Sequence, residues 1–172
     1  TLLGRAAALH AMLTARRGEP APAIHLAQYS LTLIPADALL LRGDAYFALG
    51  LAYQQNGALA EALQAYQAAV ELGMAADDIF LTVAARYHAA RTCMAQSSLQ
   101  MAATRYQQVL ALATQHSRPL PVVGLAYVGY AEILYQWNDL AEAARQVEIG
   151  LALSPPSDLT YIDGPLHRFS IL

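Results

Sequence analysis

The chain repeats itself, and that constrains its fold more than any other feature. The run Leu59, Ala60, Glu61, Ala62 returns near the far end as Leu140, Ala141, Glu142, Ala143. Leu99, Gln100, Met101, Ala102 stand midway between them. Tyr66 aligns with Tyr106, and Leu72 with Leu112 and Leu153. Ala23 lies one such interval before Ala62, and Pro35 fills the slot that Pro155 fills at the far end. Gly18, Gly57, Ser97 and Asn138 share one turn position. The interval is about 40 residues each time, within the range of helical repeat proteins. It predicts four repeats, near 4–35, 43–74, 83–114 and 124–155, with a partial fifth over 158–172. One domain spanning 1–172 is expected. A period of this length marks stacked supersecondary units, none of which buries its apolar face alone.

Each unit reads as two helices. Tyr46, Leu49, Gly50 and Tyr53 follow the i, i+3, i+4, i+7 spacing of one helical face. Asn56 and Gly57 then break the chain with a turn signal. Leu59, Ala62, Leu63, Tyr66 and Ala69 make the second face, which is expected to end at Gly73. Asp77 or Asp78 can cap the next helix. The same scheme predicts helices near 5–16, 20–33, 40–55, 58–72, 78–95, 98–115, 121–136 and 139–152. Pro119 and Pro121 open the seventh, and Pro155 and Pro156 end the eighth. The chain holds 36 Ala and 28 Leu. Both favour helix over strand, and small residues let helices cross closely. Gly50, Ala90 and Ala131 share one crossing position, and Ala23, Ala62, Ala102 and Ala143 share another.

Charge and length exclude several functions. Only 13% of residues are charged, and the net charge is −3, against the basic surface a nucleic-acid binder needs. There is no Lys, so P-loop and Schiff-base chemistry are absent from this stretch. Cys93 is alone and makes no internal disulfide, which fits a reducing, cytoplasmic setting. The longest apolar run, from Pro119 to Ala131, falls well short of the roughly 20 residues of a membrane span. No signal-peptide pattern opens the chain.

Tyr46, Leu49, Gly50 and Tyr53, followed by Gly57, Ala62, Tyr66 and Ala69, resemble the tetratricopeptide repeat, here lengthened beyond its usual period of about 34 residues. Tyr135, Gln136, Trp137, Asn138, Asp139 and Leu140, followed by Ala141, Glu142 and Ala143, resemble the signature of the sensor region of large MalT-like, LuxR-type transcriptional activators. Leu41, Arg42 and Gly43 before Ala48, and Ala15 to Gly18 before Ala23, resemble it too. The resemblance covers essentially the whole chain. Gln136 stands where the family has Glu, and Ser97 replaces the turn glycine. Membership would imply a right-handed superhelix, an N-terminal ATPase of the STAND class and a C-terminal helix-turn-helix domain. It would also imply a small sugar inducer that promotes self-association with ATP. Neither flanking module is found in these residues, so the chain is expected to be a sensor segment. No cofactor is expected within it, and ATP is expected only in the N-terminal domain.

Superhelical stacks present a concave surface lined by the first helix of each repeat. The register places Arg5, Met12 and Arg16 there from the first unit, and Asp44, Gln54 and Gln55 from the second. The third supplies Tyr87, His88, Arg91 and Met94, and the fourth Glu132, Tyr135 and Gln136. Polar donors beside aromatic faces suit a sugar-like or polar ligand. Arg91 stands one repeat before Glu132, so a dedicated carboxylate clamp is not expected. His10, His25, His88, His116 and His167 show no metal-ligand spacing. Cys93 takes the slot of Tyr53 and Leu134 and reads as a buried small hydrophobe. Ser97 and Ser98 read as a cap, as do Asp77 and Asp78, since adjacent carboxylates diverge on a helix. Trp137 is expected to wedge between the helices that its turn joins.

The expected protein is an all-α, non-enzymatic sensor domain. A small inducer or a protein partner would bind its groove and control self-association and transcription activation. The alternative is a free-standing scaffold that holds a peptide or helix of a partner. Direct nucleic-acid or membrane binding is not expected.

Overall fold

A computed structural model describes residues 1–114 and 120–153. They form eight α-helices with no strand among the described residues: α1 (Leu2–Arg16), α2 (Pro20–Leu33), α3 (Leu39–Gln55), α4 (Leu59–Ala75), α5 (Ile79–Ala95), α6 (Leu99–Thr114), α7 (Pro121–Gln136) and α8 (Leu140–Leu153). The all-helical expectation holds, pair by pair. The partial fifth repeat, Pro155, Pro156, His116 and His167 lie outside the described residues.

The turns follow from backbone chemistry. Gly18, Gly57, Ser97 and Asn138, which share one register position, all adopt the left-handed conformation, with φ of 81°, 77°, 58° and 62°. At α3 the Gly57 N–H donates to Gln54 O at 3.2 Å, and the Ala58 N–H to Tyr53 O at 3.0 Å. This pair of bonds is the Schellman closure, which satisfies the last carbonyls of a helix. The same pair closes α1, α4 and α7.

Two helix ends differ from expectation. Helix α1 begins at Leu2, not near residue 5, because the Thr1 side chain accepts from the Gly4 N–H at 3.3 Å. Helix α4 runs to Ala75, past the Gly73 stop. Asp77, at φ 54°, makes the left-handed turn, and Asp78 caps α5 by accepting the Leu81 N–H at 2.7 Å. Gly73 stays helical and serves close approach instead: a Cβ there would sit 2.7 Å from Thr82 Oγ1. Helix α2 ends differently, at an extended Ile34 before Pro35. Its last carbonyls take donors from the next repeat: Arg42 Nη1 reaches Ile34 O at 3.1 Å and Leu31 O at 3.3 Å.

The helices fall into two units, Thr1–Ser97 and Ser98–Leu172, so the boundary separates the two helices of the third pair. In the first unit α3 packs on α1, α2, α4 and α5. Its core is built from the repeated small residues: Ala23, Ala52 and Ala15 form one cluster, and Ala11, Ala27 and Ala48 join Leu49 and Ala65 in another. In the second unit α7 packs on α6 and α8. Ala131, Leu134 and Ala143 form its cluster. Every alanine of the two crossing sets is buried, as is Gly50.

Gly150 shows how tight the crossings are. A Cβ on it would lie 2.7 Å from the Gly124 carbonyl oxygen and 3.0 Å from Val128 Cγ2. A backbone oxygen cannot rotate away, so α8 would have to move off α7. Overpacking of about 1–3 kcal/mol, less the roughly 1 kcal/mol that Ala gains over Gly in a helix, leaves Gly150→Ala with an expected net destabilisation of up to about 2 kcal/mol. Urea unfolding measures it; a rise in stability would refute the close approach.

Candidate functional site

Among the described residues, the richest cluster of polar and aromatic side chains lies in the first unit, on α1, α3, α4 and α5. Consecutive helices joined by short turns run antiparallel, so α1, α3 and α5 run the same way. Equivalent turns of these three helices carry two polar groups.

Near the N-terminal ends sit Arg5, Asp44 and Asp78. Asp44 is half-buried, and its carboxyl is held above the usual range, first by burial and then by the Asp78 charge; Arg5 opposes both. About ten residues further along each helix, roughly 15 Å at 1.5 Å per residue, lies the second group. Its centre is His88 on α5. The imidazole stacks on the Tyr66 ring at 5.5 Å and meets the edges of Phe47 and Tyr87, each at 5.3 Å. Tyr66 is fully buried and donates its hydroxyl to Gln54 Oε1 at 2.7 Å. Arg91 lies 5.9 Å from the Tyr87 ring centroid.

The electrostatics of His88 follow from this setting. His88 is half-buried as a residue, but its Nδ1 is buried without a hydrogen-bond partner. Burial of that nitrogen decides its basicity. Burial lowers the imidazole pKa to about 3, helped by the positive charges of Arg91 and Arg16. Burial also raises the Tyr66 hydroxyl pKa, and Arg91 works against that rise.

The groove residues expected from the register therefore divide. Arg5, Arg16, Asp44, Gln54, His88 and Arg91 take part in these two groups. Gln55 is exposed on the last turn of α3 and Met94 is half-buried on α5. Met12 packs half-buried against the core. Tyr87 is buried, at 2% exposure, with its ring against the edge of His88. Glu132, Tyr135 and Gln136 belong to the second unit, where Glu132 is half-buried and the other two are exposed. Phe47 and Tyr66 also belong to the cluster, although the register does not single them out as groove residues. Phe47 shares a register position with Tyr87, one repeat on, and that pairing is the available signal.

The signature stretch is turn chemistry. Asn138 takes the left-handed position, and Asp139 accepts the Glu142 N–H at 3.3 Å to cap α8. Trp137 does not wedge between helices: it caps the end of α7 and stays 43% exposed. Tyr135 and Leu140 flank it, also exposed. Cys93 is a free, buried thiol, as its register slot implies.

Paired helices with left-handed turns and small-residue crossings define a tetratricopeptide-type helical repeat, a class of generally non-catalytic interaction scaffolds. The family model described as the MalT-like TPR region matches residues 4–157, and the chain belongs to that family. No curated protein matches it. Among solved structures it is similar to the nearly identical TPR-like repeats assigned to a kinesin light chain of Podosopora anserina, at 15% identity and TM-score 0.42 over 93% of this chain and 97% of that one. A point-substituted form of those repeats matches at 17% identity and TM-score 0.40 over 87% and 93%. No helix among the described residues is long and apolar enough to cross a membrane.

Proposed function

We propose that this chain is the sensor segment of a MalT-like, LuxR-type transcriptional regulator of the cytoplasm. A small inducer or a protein partner binds the face formed by α1, α3 and α5. Binding shifts the regulator between autoinhibited and self-associating forms through its differential affinity for the two. In this reading ATP and DNA are handled by flanking ATPase and helix-turn-helix domains, and these repeats carry no cofactor. The observation that carries the reading is the cluster of Gln54, Tyr66, His88 and Arg91, with Arg16. It sets polar and charged groups from the first helices of successive repeats beside aromatic rings of α4 and α5. A solvated helix face would not need the Tyr66 hydroxyl buried on Gln54.

The test has two parts. Thermal unfolding against a panel of sugars, amino-acid derivatives and peptides should reveal a ligand, since one present at 100 times its Kd adds about 2.7 kcal/mol. In a transcription reporter driven by the full-length regulator, Arg91→Ala should then weaken the response to that ligand. Tyr135→Ala, in the second unit, reports whether the second unit contributes. If both variants respond to every ligand as the parent does, the groove reading is wrong. A reading frame without flanking ATPase and helix-turn-helix modules would favour the free-standing scaffold instead.

A further inference from the structure

We propose that copies of this chain stack head to tail, with α8 of one copy seated on the open face of α1 of the next. The stacking needs no ligand and no flanking domain.

The register singles out one face of α1. Ala6, Leu9 and Leu13 form a stripe at i, i+3, i+7 spacing. Each holds a register position that later repeats bury. Ala45, Ala85 and Ala126 are the equivalents of Ala6, and Ala52, Thr92 and Ile133 those of Leu13; all six are fully buried. Ala48, His88 and Gly129 are the equivalents of Leu9. In every case the cover is the second helix of the preceding pair. Ala52 clusters with Ala23 of α2, His88 stacks on Tyr66 of α4, and a Cβ on Gly129 would meet Tyr106 of α6. On α1 the same positions stand open, with Leu9 54% and Leu13 56% exposed. An apolar stripe at positions that the repeat covers elsewhere is a seat for another second helix.

Helix α8 carries the matching face. Val147 holds the position of Ala27, Tyr66 and Tyr106, which are all buried, yet is only half-buried itself. Leu151 holds the position of the buried Val70 and is 47% exposed. Leu140, 54% exposed, holds that of the half-buried Leu59 and Leu99. Leu140, Val147 and Leu151 share one side of α8, at i, i+7, i+11.

Charge selects this pairing over α1 against α1. Residues 1–18 contain Arg5, Arg16 and Arg17 and no Asp or Glu, a side-chain charge of +3 with His10 neutral. Residues 139–153 contain Asp139, Glu142 and Glu148 against Arg145, a charge of −2. Two α1 faces set together would bring like charges into contact, whereas α8 on α1 brings opposite ones. The repeat also gives the direction. Ala23, near the start of α2, meets Ala52, near the end of α3. Docked in the same antiparallel manner, the start of α8, with Asp139, meets the end of α1, with Arg17. The two faces differ, so the contact is heterologous.

Sedimentation velocity on the full 172-residue chain tests the stacking. The average mass should climb past that of a dimer as concentration rises, because a heterologous contact does not close at two copies. Two doubly substituted chains separate the faces: Leu9→Glu with Leu13→Glu on α1, and Leu140→Glu with Leu151→Glu on α8. Each puts charge into the apolar seam and should self-associate at least tenfold more weakly than the parent. The substituted positions are exposed, so the fold should survive, which circular dichroism checks. Mixed together, the two chains keep one sound junction, α8 of the first on α1 of the second. They should form a complex of one copy each and nothing larger. Hydrogen exchange on the unsubstituted chain reads the same contact: α1 and α8 should exchange more slowly as concentration rises, and α4 should not. A chain that stays monomeric at every concentration would overturn the stacking. So would association that survives either pair of substitutions, a mixture that forms no complex, or association that leaves exchange in α1 and α8 unchanged. The ligand and reporter tests above do not bear on this contact, and its failure leaves the groove reading standing.

Discussion

Tyr66→Ala is expected to destabilise the first unit by about 3–5 kcal/mol, the range for deleting a large buried ring. The side chain has no exposed surface and joins three elements. Its ring lies 5.9 Å from Phe47 on α3 and 5.5 Å from His88 on α5. Its edge faces Gly50, where a Cβ would come within 2.6 Å of Cδ1. The space it fills is therefore shaped by a glycine on one side and an imidazole on the other, and Ala would leave most of it empty. Tyr66→Phe separates the ring from the hydroxyl. It keeps the packing and loses only the bond to Gln54, which is half-buried and can turn to water. Its cost should be about 1 kcal/mol. Urea unfolding of both variants at neutral pH checks this. An Ala cost no larger than the Phe cost would show that the ring does not hold α3, α4 and α5 together.

The same residue shows how far the repeat can be read without coordinates. Spacing alone places Tyr66 and Tyr106 in one slot, and both are buried. It places Gly18, Gly57, Ser97 and Asn138 at one turn, and all four take positive φ. These positions are legible because the backbone demands something of the side chain, smallness or tolerance of the left-handed region. The site is less legible. Ala48, His88 and Gly129 share one register position, as do Ala27, Tyr66 and Tyr106. The first set faces the second across the repeat boundary. Ala48 shares a cluster with Ala27, His88 stacks on Tyr66, and Gly129 leaves room for Tyr106, whose hydroxyl would lie 2.5 Å from a Cβ there. Each interface thus fills the same slot and divides its volume differently. Periodicity locates such a slot but cannot tell a His that faces the groove from one that completes a core. Tyr87 is buried in the same way as Phe47, its equivalent one repeat earlier.

Acid should expose what burying His88 costs. Its folded pKa of about 3 lies well below the ordinary value of 6.5. Between these values the unfolded chain takes up a proton that the folded chain refuses. Stability from this residue is fully present above pH 6.5 and is lost as pH falls toward 3. The loss approaches about 1.4 kcal/mol per pH unit, or roughly 3 kcal/mol by pH 4. The groups around the imidazole hold this sign. Arg91 and Arg16 repel the charged form, and Phe47, Tyr66 and Tyr87 supply no carboxylate to pair with it. Asp44 works in the opposite sense. Its carboxyl is held above the usual range by burial and by Asp78, so its protonation favours the folded chain as pH falls. His88→Phe isolates the imidazole, because every other titrating group is common to parent and variant. The ring keeps its place against Tyr66, and the proton is gone. Urea unfolding of the two proteins from pH 7.5 down to pH 4 should show the parent losing ground to the variant steadily below pH 6.5. A stability difference that stays constant across that range would mean His88 takes up its proton in the folded chain as readily as in the unfolded one, and the buried, unpartnered nitrogen at the centre of the cluster would have to be abandoned.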